Sequence, residues 1–138
     1  MIQLDPSWLQ HVEKPARYMG GEWNSVAKNH SEVDVTMAFA FPDVYEVSMS
    51  HLGIKILYGI VNERPDAAAE RVFAPWHDME AEMRNRDIPL FSLETKTPIR
   101  DFDLLAFTLK YEMCYTNIIN MLDLAGIPFY GKDRDLSF

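Results

Sequence analysis

Cysteine is almost absent from this chain, since Cys114 is the only one among 138 residues. One thiol excludes an intrachain disulfide, and it cannot supply the three or four thiolates that an iron–sulfur cluster requires. The sequence also shows no basic leader followed by an apolar run, and no uninterrupted apolar stretch of about 20 residues. We therefore expect a cytoplasmic protein that neither enters nor crosses a membrane.

Positive charge is scarce as well. The chain has 13 Lys and Arg against 21 Asp and Glu, which gives a formal net charge of -8. A surface of this sign repels a phosphate backbone, so we do not expect nucleic acid as a partner. The hydrophobic content of 48% is enough to build one core without covalent staples.

The glycine motifs that hold phosphates are missing. No G-x-G-x-x-G follows the first predicted strand, and no G-x-x-x-x-G-K-S/T is found. The G-x-S-x-G turn of many hydrolases is missing too. The common dinucleotide and nucleotide cradles are therefore not encoded, which disfavours a stand-alone flavin or nucleotide enzyme.

What the sequence does contain is an alternation of strand and helix patterns from Val33 onward. Residues 35–41 read as a buried strand in which bulky residues alternate with small ones, and Asp103–Leu109 reads as a central strand buried on both sides. Shorter strands are predicted at 70–74 and, at an edge, at 88–93. Helices are predicted over 50–63 with Ser50 as N-cap, from Pro75 onward, and over 113–125, ending at Gly126.

This order predicts an α/β domain over 33–138, a Rossmann-like or flavodoxin-like three-layer domain with a mainly parallel sheet. Residues 1–32 form a separate N-terminal part, with a helix from Pro6 to about Glu13 and a surface segment over 14–32. We expect three apolar helix stripes to face the sheet: Leu52, Ile56 and Ile60 with Leu57 and Val61; Trp76, Met79 and Met83; and Tyr115, Ile118, Ile119, Leu122 and Ala125.

In such a sheet, ligands bind outside the carboxyl ends of the strands. The polar, aromatic loops at 41–53, 74–78 and 108–116 are predicted to meet there. Two residues have simpler interpretations, since Ser50 is more often only a helix cap and His51 only a helix-start residue. His77 and Asp78 diverge on a helix, so we expect no acid/base dyad, and Cys114 is expected to be an ordinary buried residue.

Five segments carry a family resemblance, in the order PARYMGGEWN, AFAFPDVYEVSMSHLGIKILYGIVNER, ERVFAPWHDMEAEM, PLFSLE and FTLKYEMCYTNIINMLDLAGIP. Through them the chain resembles the N-terminal region of a family of radical S-adenosylmethionine (SAM) proteins that carry a cobalamin-binding domain. The resemblance implies a larger protein in which a partial barrel with C-x-x-x-C-x-x-C holds a 4Fe–4S cluster and SAM. That motif is absent here, so we expect no radical chemistry from this chain alone and a sheet that is truncated at its C-terminal side.

Cobalamin is the cofactor that the resemblance implies. Domains that place a histidine on cobalt carry D-x-H-x-x-G, but here Met49 stands two residues before His51 and Ile54 three after it. The missing motif therefore argues against a histidine on cobalt but leaves cobalamin open as a cofactor, since similar corrinoid radical enzymes lack the motif and hold cobalamin without histidine ligation. No catalytic or metal-ligating residue is predicted in this chain. The candidate cofactor-binding residues are Pro42, Asp43, Tyr45, Glu46, Ser48, Ser50, His51, Leu52, Gly53, Pro75, Trp76, Thr108, Lys110, Tyr111 and Glu112.

Two functions stay open at this point. The first is a cobalamin-binding-type domain that presents its loops to a corrinoid and to the radical SAM barrel of the parent chain. The second is a degenerate scaffold that binds no cofactor and docks the barrel or another partner through its aromatic residues: Tyr18, Trp23, Tyr45, Trp76 and Tyr111. An exposed sheet edge also predicts a possible homo-oligomer.

Overall fold

A computed structural model describes residues 2–134 of the chain. It contains one sheet of three strands, β1 (Val35–Phe41), β2 (Ala67–Phe73) and β3 (Leu104–Phe107), in the order β2-β1-β3. Both neighbours of β1 run parallel to it. The predicted α/β class with an open parallel sheet of Rossmann-like or flavodoxin-like type is confirmed.

Five α-helices connect and cover these strands: α1 (Ala16–Met19), α2 (Tyr45–Ser48), α3 (Leu52–Glu63), α4 (His77–Asn85) and α5 (Cys114–Ala125). Single 3-10 turns lie at Pro6–Leu9, His30–Glu32, Ile99–Asp101 and Gly131–Asp133. No helix among residues 2–134 is both long and apolar enough to cross a bilayer.

The helix predicted from Pro6 to about Glu13 is only one 3-10 turn. Asp5 is its N-cap, because its Oδ1 accepts a hydrogen bond from the Ser7 amide at 2.8 Å. The Glu13 amide donates to Asp78 Oδ2 at 2.8 Å. This contact draws the chain toward α4 where a longer helix would have continued.

The side chains of β1 separate two layers of the core. Phe39 and Phe41 pack with Ile54 and Tyr58 of α3 on one face of the sheet. On the other face, Ala38 and Ala40 belong to a larger cluster that includes Met79, Met83 and Met121. The small residues let the helices on that face approach closely, as the alternation in the sequence predicts.

The predicted helix stripes are partly wrong. In α3 the buried residues are Ile54 and Tyr58, whereas Leu52, Ile56, Leu57 and Ile60 are exposed by half or more. Both sets have helical spacing, and the sequence offers no way to choose between them. The choice depends on packing against β1, together with the Tyr58 hydroxyl, which donates to the Val26 carbonyl at 3.1 Å.

The same correction applies to α4 and α5. Met79 and Met83 are buried as predicted, but Trp76 is 40% exposed and lies before α4 as its N-cap. In α5 the predicted Ala125 is buried, whereas Tyr115 and Ile119 are exposed and Ile118 and Leu122 are half-buried. The residues of α5 that are buried are Cys114, Met121, Leu124 and Ala125.

Residues 88–93 form no strand, contrary to the prediction. Phe91 makes an isolated antiparallel bridge with Pro98, and the Ser92 amide donates to the Thr97 carbonyl at 2.9 Å. The segment folds back on itself and lies along the outer edge of β2, where the Leu93 amide donates to the Arg71 carbonyl at 2.7 Å. Its apolar residues are buried by this cover and not by membership of the sheet.

The two edges of the sheet differ. On β2, Asn62 bonds both the amide and the carbonyl of Ala69, at 3.0 and 2.9 Å, and Glu94 accepts from the Arg71 amide at 2.7 Å. On β3, no described residue outside the β1 ladder bonds the backbone of Leu105 or Phe107. The prediction of a strand buried on both sides is therefore wrong for β3, an edge strand whose first residue, Leu104, is 49% exposed.

Candidate functional site at the switch between β1 and β3

The connections of the sheet define where a ligand site belongs. From β1 the chain crosses to β2 on one side, while β3 lies on the other, so a topological switch point lies between β1 and β3. Ligands of open α/β sheets bind at this position, outside the carboxyl ends of the strands. The loops that follow β1 and β3 meet here: Asn117 Nδ2 donates to the Pro42 carbonyl at 2.7 Å, and the Tyr111 hydroxyl to Asp43 Oδ1 at 3.3 Å.

Two oxygen atoms at this point have no partner. Asp43 Oδ2 and Thr108 Oγ1 are buried and make no hydrogen bond to any described residue. Lys110 Nζ lies 3.6 Å from Asp43 Oδ2, near enough for charge attraction, and 3.9 Å from the centroid of the Phe41 ring. Because buried polar atoms are nearly always hydrogen-bonded, these two acceptors mark a candidate site for a donor from outside the described residues.

The charge of Asp43 also acts on Tyr111. It raises the pKa of the Tyr111 hydroxyl above its ordinary value. The phenol therefore stays protonated at neutral pH and can serve as a hydrogen-bond donor. A carboxylate, a cation and a protonated phenol thus lie together on the rim, and Thr108 lies at the end of β3, where its amide donates to the Ala40 carbonyl at 3.2 Å.

The backbone of Asp43 is held rigidly. The Ala74 amide lies 3.1 Å from both the Phe41 and the Asp43 carbonyl oxygens. The buried Ser48 hydroxyl donates to the Asp43 carbonyl at 3.1 Å. The exit of β2 and helix α2 therefore fix the loop that carries the Asp43 carboxylate, and Ser48 supports the site without facing a ligand.

Other predicted site residues lie elsewhere and hold the segment 14–32, called the strap below. Glu46 pairs with Arg17 at 2.9 Å and with Lys14 at 3.0 Å, and the Arg17 hydrogen bond is the main cause that lowers the pKa of Glu46 to about 2. Tyr45 donates its hydroxyl to Glu22. Burial and that carboxylate raise the pKa of Tyr45 to about 12.

Pro75 and Trp76 face the strap too. The Trp76 amide donates to the Tyr18 hydroxyl at 3.0 Å, and the Arg17 guanidinium lies 5.4 Å from the centroid of the Trp76 ring. Pro75 lines a small cavity next to Arg17 and Tyr18. The second loop therefore reaches the switch point only through the backbone of Ala74.

The start of α3 corrects one prediction and confirms another. Its N-cap is His51, whose Nδ1 accepts from the Ile54 amide at 3.4 Å, so His51 is a helix-start residue and Ser50 is not the cap. Ser50 donates to the Val47 carbonyl at 3.3 Å and closes the end of α2. Leu52, Gly53 and Glu112 are exposed. Among residues 2–134 no three His, Cys, Asp or Glu side chains are arranged to hold a metal ion.

Sequence reasoning missed two features that build this region. Asn117 holds the loop after β1 from the first turn of α5, and its only signal in the sequence is a polar residue near the start of an apolar helix. The second feature is a buried ion pair between Arg71 and Glu94, at 2.7 Å, which no local pattern reveals. His77 and Asp78 form no dyad, because Asp78 accepts from the Glu13 and Met79 amides.

An open parallel sheet with loops that meet at its switch point is the arrangement found in α/β domains that bind ligands. The family model described as radical SAM proteins, N-terminal, matches residues 53–137, which is more than half of the chain. The chain therefore belongs to this family of N-terminal regions of radical SAM proteins. No curated protein and no solved structure matches the chain.

Proposed function

We propose that this chain is the cobalamin-binding-type domain of a radical SAM enzyme and that a corrinoid lies over the switch point between β1 and β3. The unpartnered pair of Asp43 Oδ2 and Thr108 Oγ1 carries this proposal. A corrin ring is rimmed by amide groups, whose N–H donors suit two buried acceptors. Lys110 and Tyr111 would flank the same edge of the ring.

The residues present favour binding without a histidine on cobalt. His51 Nδ1 is occupied by the Ile54 amide, and no carboxylate among the described residues bonds its other ring nitrogen. Such a carboxylate is what orients an imidazole toward a metal. When bound, a corrinoid supplies group transfer or one-electron chemistry at cobalt. This chain would bind and orient it, while the 4Fe–4S cluster and SAM would belong to the radical SAM barrel.

The test uses the full-length protein, purified without oxygen and titrated with hydroxocobalamin while the visible spectrum is followed. Asp43→Ala and Thr108→Val should each weaken corrinoid binding by about 10-fold, the equivalent of one hydrogen bond to a buried acceptor. Asp34→Ala is the matched control, because Asp34 is exposed at the opposite end of the sheet, just before β1. A full-length protein that retains no corrinoid, or an Asp43→Ala variant that binds like wild type, would contradict the proposal.

The open edge of β3 favours a second candidate, a scaffold that docks the rest of the parent protein. Beside this edge lies a groove of about 530 Å³ between β3 and α5. Its apolar lining is Ile99, Phe102, Leu105, Phe107, Leu109, Tyr115, Ile118, Leu122, Ile127 and Pro128. An unpaired strand edge with apolar side chains beside it suits a further strand, so we propose that the radical SAM barrel side of the parent chain pairs here.

A second copy of this chain is the alternative occupant of the same edge. Sedimentation velocity over a range of concentrations separates the two occupants. If copies pair, the 138-residue chain forms dimers that Leu105→Lys abolishes, and Ile56→Lys, on the outer side of α3, leaves them intact. If the parent chain supplies the strand, the full-length protein stays monomeric. A short chain that remains monomeric at about 0.5 mM would contradict the homo-oligomer.

A further inference from the structure

A separate cleft of about 580 Å³ lies between the strap and α3. Its walls include Trp23, Tyr45 and Tyr58, and Arg71 lines it from β2. Neither Asp43 nor any residue of the loop after β3 lines it, so it is distinct from the switch point. Its volume lies within the range of roughly 300–1,000 Å³ that is usual for small-molecule sites.

Gly59 lines the cleft from α3 and adds no side chain to its surface. It lies in the interior of α3, where glycine is a poor helix former. Glycine in a helix is often explained by a neighbour that approaches closely, but a Cβ built at Gly59 would meet nothing within 4 Å. No packing within the described chain therefore accounts for it. Its effect is to leave a flat, open surface on the side of the helix that faces the cleft.

Trp23 stands at the mouth of the same cleft. It is 98% exposed, the largest fraction among the exposed apolar residues of positions 2–134. Two glycines with positive φ, Gly20 and Gly21, precede it and set the path of the loop that carries it. An indole held in water beside an apolar cleft would gain free energy if a flat apolar ligand covered it.

The charged groups of the cleft are two cations, Lys55 and Arg71, and two carboxylates, Glu22 and Glu63. Arg71 donates through Nε to Glu94 and through Nη1 to Glu22, both at 2.7 Å, while its Nη2 bonds no described residue. Lys55 makes no hydrogen bond or ion pair with the described residues either. Glu22 is already engaged by Arg71 and Tyr45, which leaves Glu63 as the other carboxylate on the lining.

We propose that this cleft binds an aromatic carboxylic acid. The ring lies on the flat floor at Gly59 beside Trp23, and the carboxylate accepts from Lys55 Nζ and Arg71 Nη2. Aromatic faces stack on a flat apolar surface, and a carboxylate suits donors of this kind. The site is independent of the corrinoid proposed above, because the two regions share no residue that would contact both ligands.

Three probes that share the indole ring but differ in charge test the assignment: indole-3-acetate, indole and tryptamine. Each is titrated into the full chain and followed by amide chemical shifts. Indole-3-acetate should bind with a Kd on the order of 1 mM, as expected for a fragment of its size, and tryptamine at least about 5-fold more weakly. Equal affinity for the three probes, or no binding of any probe at about 10 mM, would overturn the proposal.

Variants at position 59 test whether Gly59 lines the ligand site or is only tolerated in the helix. Gly59→Leu should raise the Tm by about 3–5 °C, because leucine favours a helix, and should weaken indole-3-acetate binding at least about 10-fold. Ile56→Leu, on the same helix outside the cleft, should leave binding unchanged. Lys55→Gln should remove the preference for indole-3-acetate over indole.

Gly59→Ala keeps the test decisive if leucine disturbs the fold. This variant should bind indole-3-acetate several-fold more weakly, and wild-type affinity in both Gly59 variants would refute the site. Corrinoid retention should be the same in all of them.

Discussion

Replacement of Glu94 by alanine should destabilise the fold more than any single surface change. The Glu94 side chain is fully buried, and Arg71 is 7% exposed. Both carboxylate oxygens are used, since Oε1 accepts from Arg71 Nε and Oε2 from the Arg71 amide, each at 2.7 Å. Arg71 in turn holds Glu22 of the strap at 2.7 Å. The pair therefore joins the sheet, the segment that covers β2, and the strap.

The magnitude follows from what is left unpaired. Glu94→Ala removes two charge-assisted hydrogen bonds, each of about 1.5–3 kcal/mol, and leaves a buried guanidinium with only Glu22 beside it. Part of this loss is offset, because the variant no longer has to bury an ionised carboxylate. Burial raises the pKa of Glu94 above its ordinary value despite the attraction of Arg71. We expect the free energy of unfolding to fall by about 3–4 kcal/mol.

The apolar double variant Arg71→Met/Glu94→Met gives the contrast. It removes both desolvation costs together, so it should lose only about 0–2 kcal/mol, less than the single variant. Urea unfolding followed by circular dichroism measures both. Arg64→Ala is the control, because its pair with Asp66 is exposed and should contribute less than about 0.5 kcal/mol. A loss below about 1 kcal/mol for Glu94→Ala, or a larger loss for the double variant, would refute the reasoning.

Two further predictions concern the edge of β2 and the strap. Asn62→Ala leaves the amide and carbonyl of Ala69 without partners, so unfolding should become easier by about 1–3 kcal/mol and the Ala69 amide should exchange faster; unchanged exchange would contradict the role of Asn62 as an edge cover. The pKa of Glu46 is lowered from 4.5 to about 2 in the folded state, so its contribution to stability is present above pH 4.5 and is lost as the pH falls toward 2. Because the Glu46 side chain is 41% exposed, we expect this contribution to stay below about 1 kcal/mol, and Glu46→Gln should remove that part of the acid dependence; a pH profile identical to wild type would argue against it.

Local signals in the sequence were enough for the order of the three strands and of helices α3, α4 and α5. The alternation of β1 sorts its side chains into a bulky and a small face by the geometry of a strand alone. The end of α5 at Gly126 is similarly local, since this glycine adopts the left-handed conformation with φ 68°. Such features depend on neighbours within a few residues, and the printed sequence contains all of them.

Only part of the candidate site could be predicted from such local signals. The loops after β1 and β3 were expected to meet because parallel neighbours end at one rim, and Asp43 and Tyr111 do meet. The sequence could not show that Glu46 and Trp76, from the same predicted rim, would face the strap. Their partners lie far away along the chain, and which of several oppositely charged or aromatic groups comes near is decided only by packing.

By itself, then, the sequence determined the three strands of the sheet, the longer helices α3, α4 and α5, and the parallel α/β class, because backbone geometry and side-chain periodicity act over short distances. Only the tertiary structure decided that β3 is an edge, that α3 buries Ile54 and Tyr58, and that Asp43 Oδ2 and Thr108 Oγ1 are buried without a hydrogen-bond partner among the described residues. Each of these depends on which surfaces remain available once the others are covered. That is a property of the whole fold, since a residue's own neighbours along the chain do not fix its exposure.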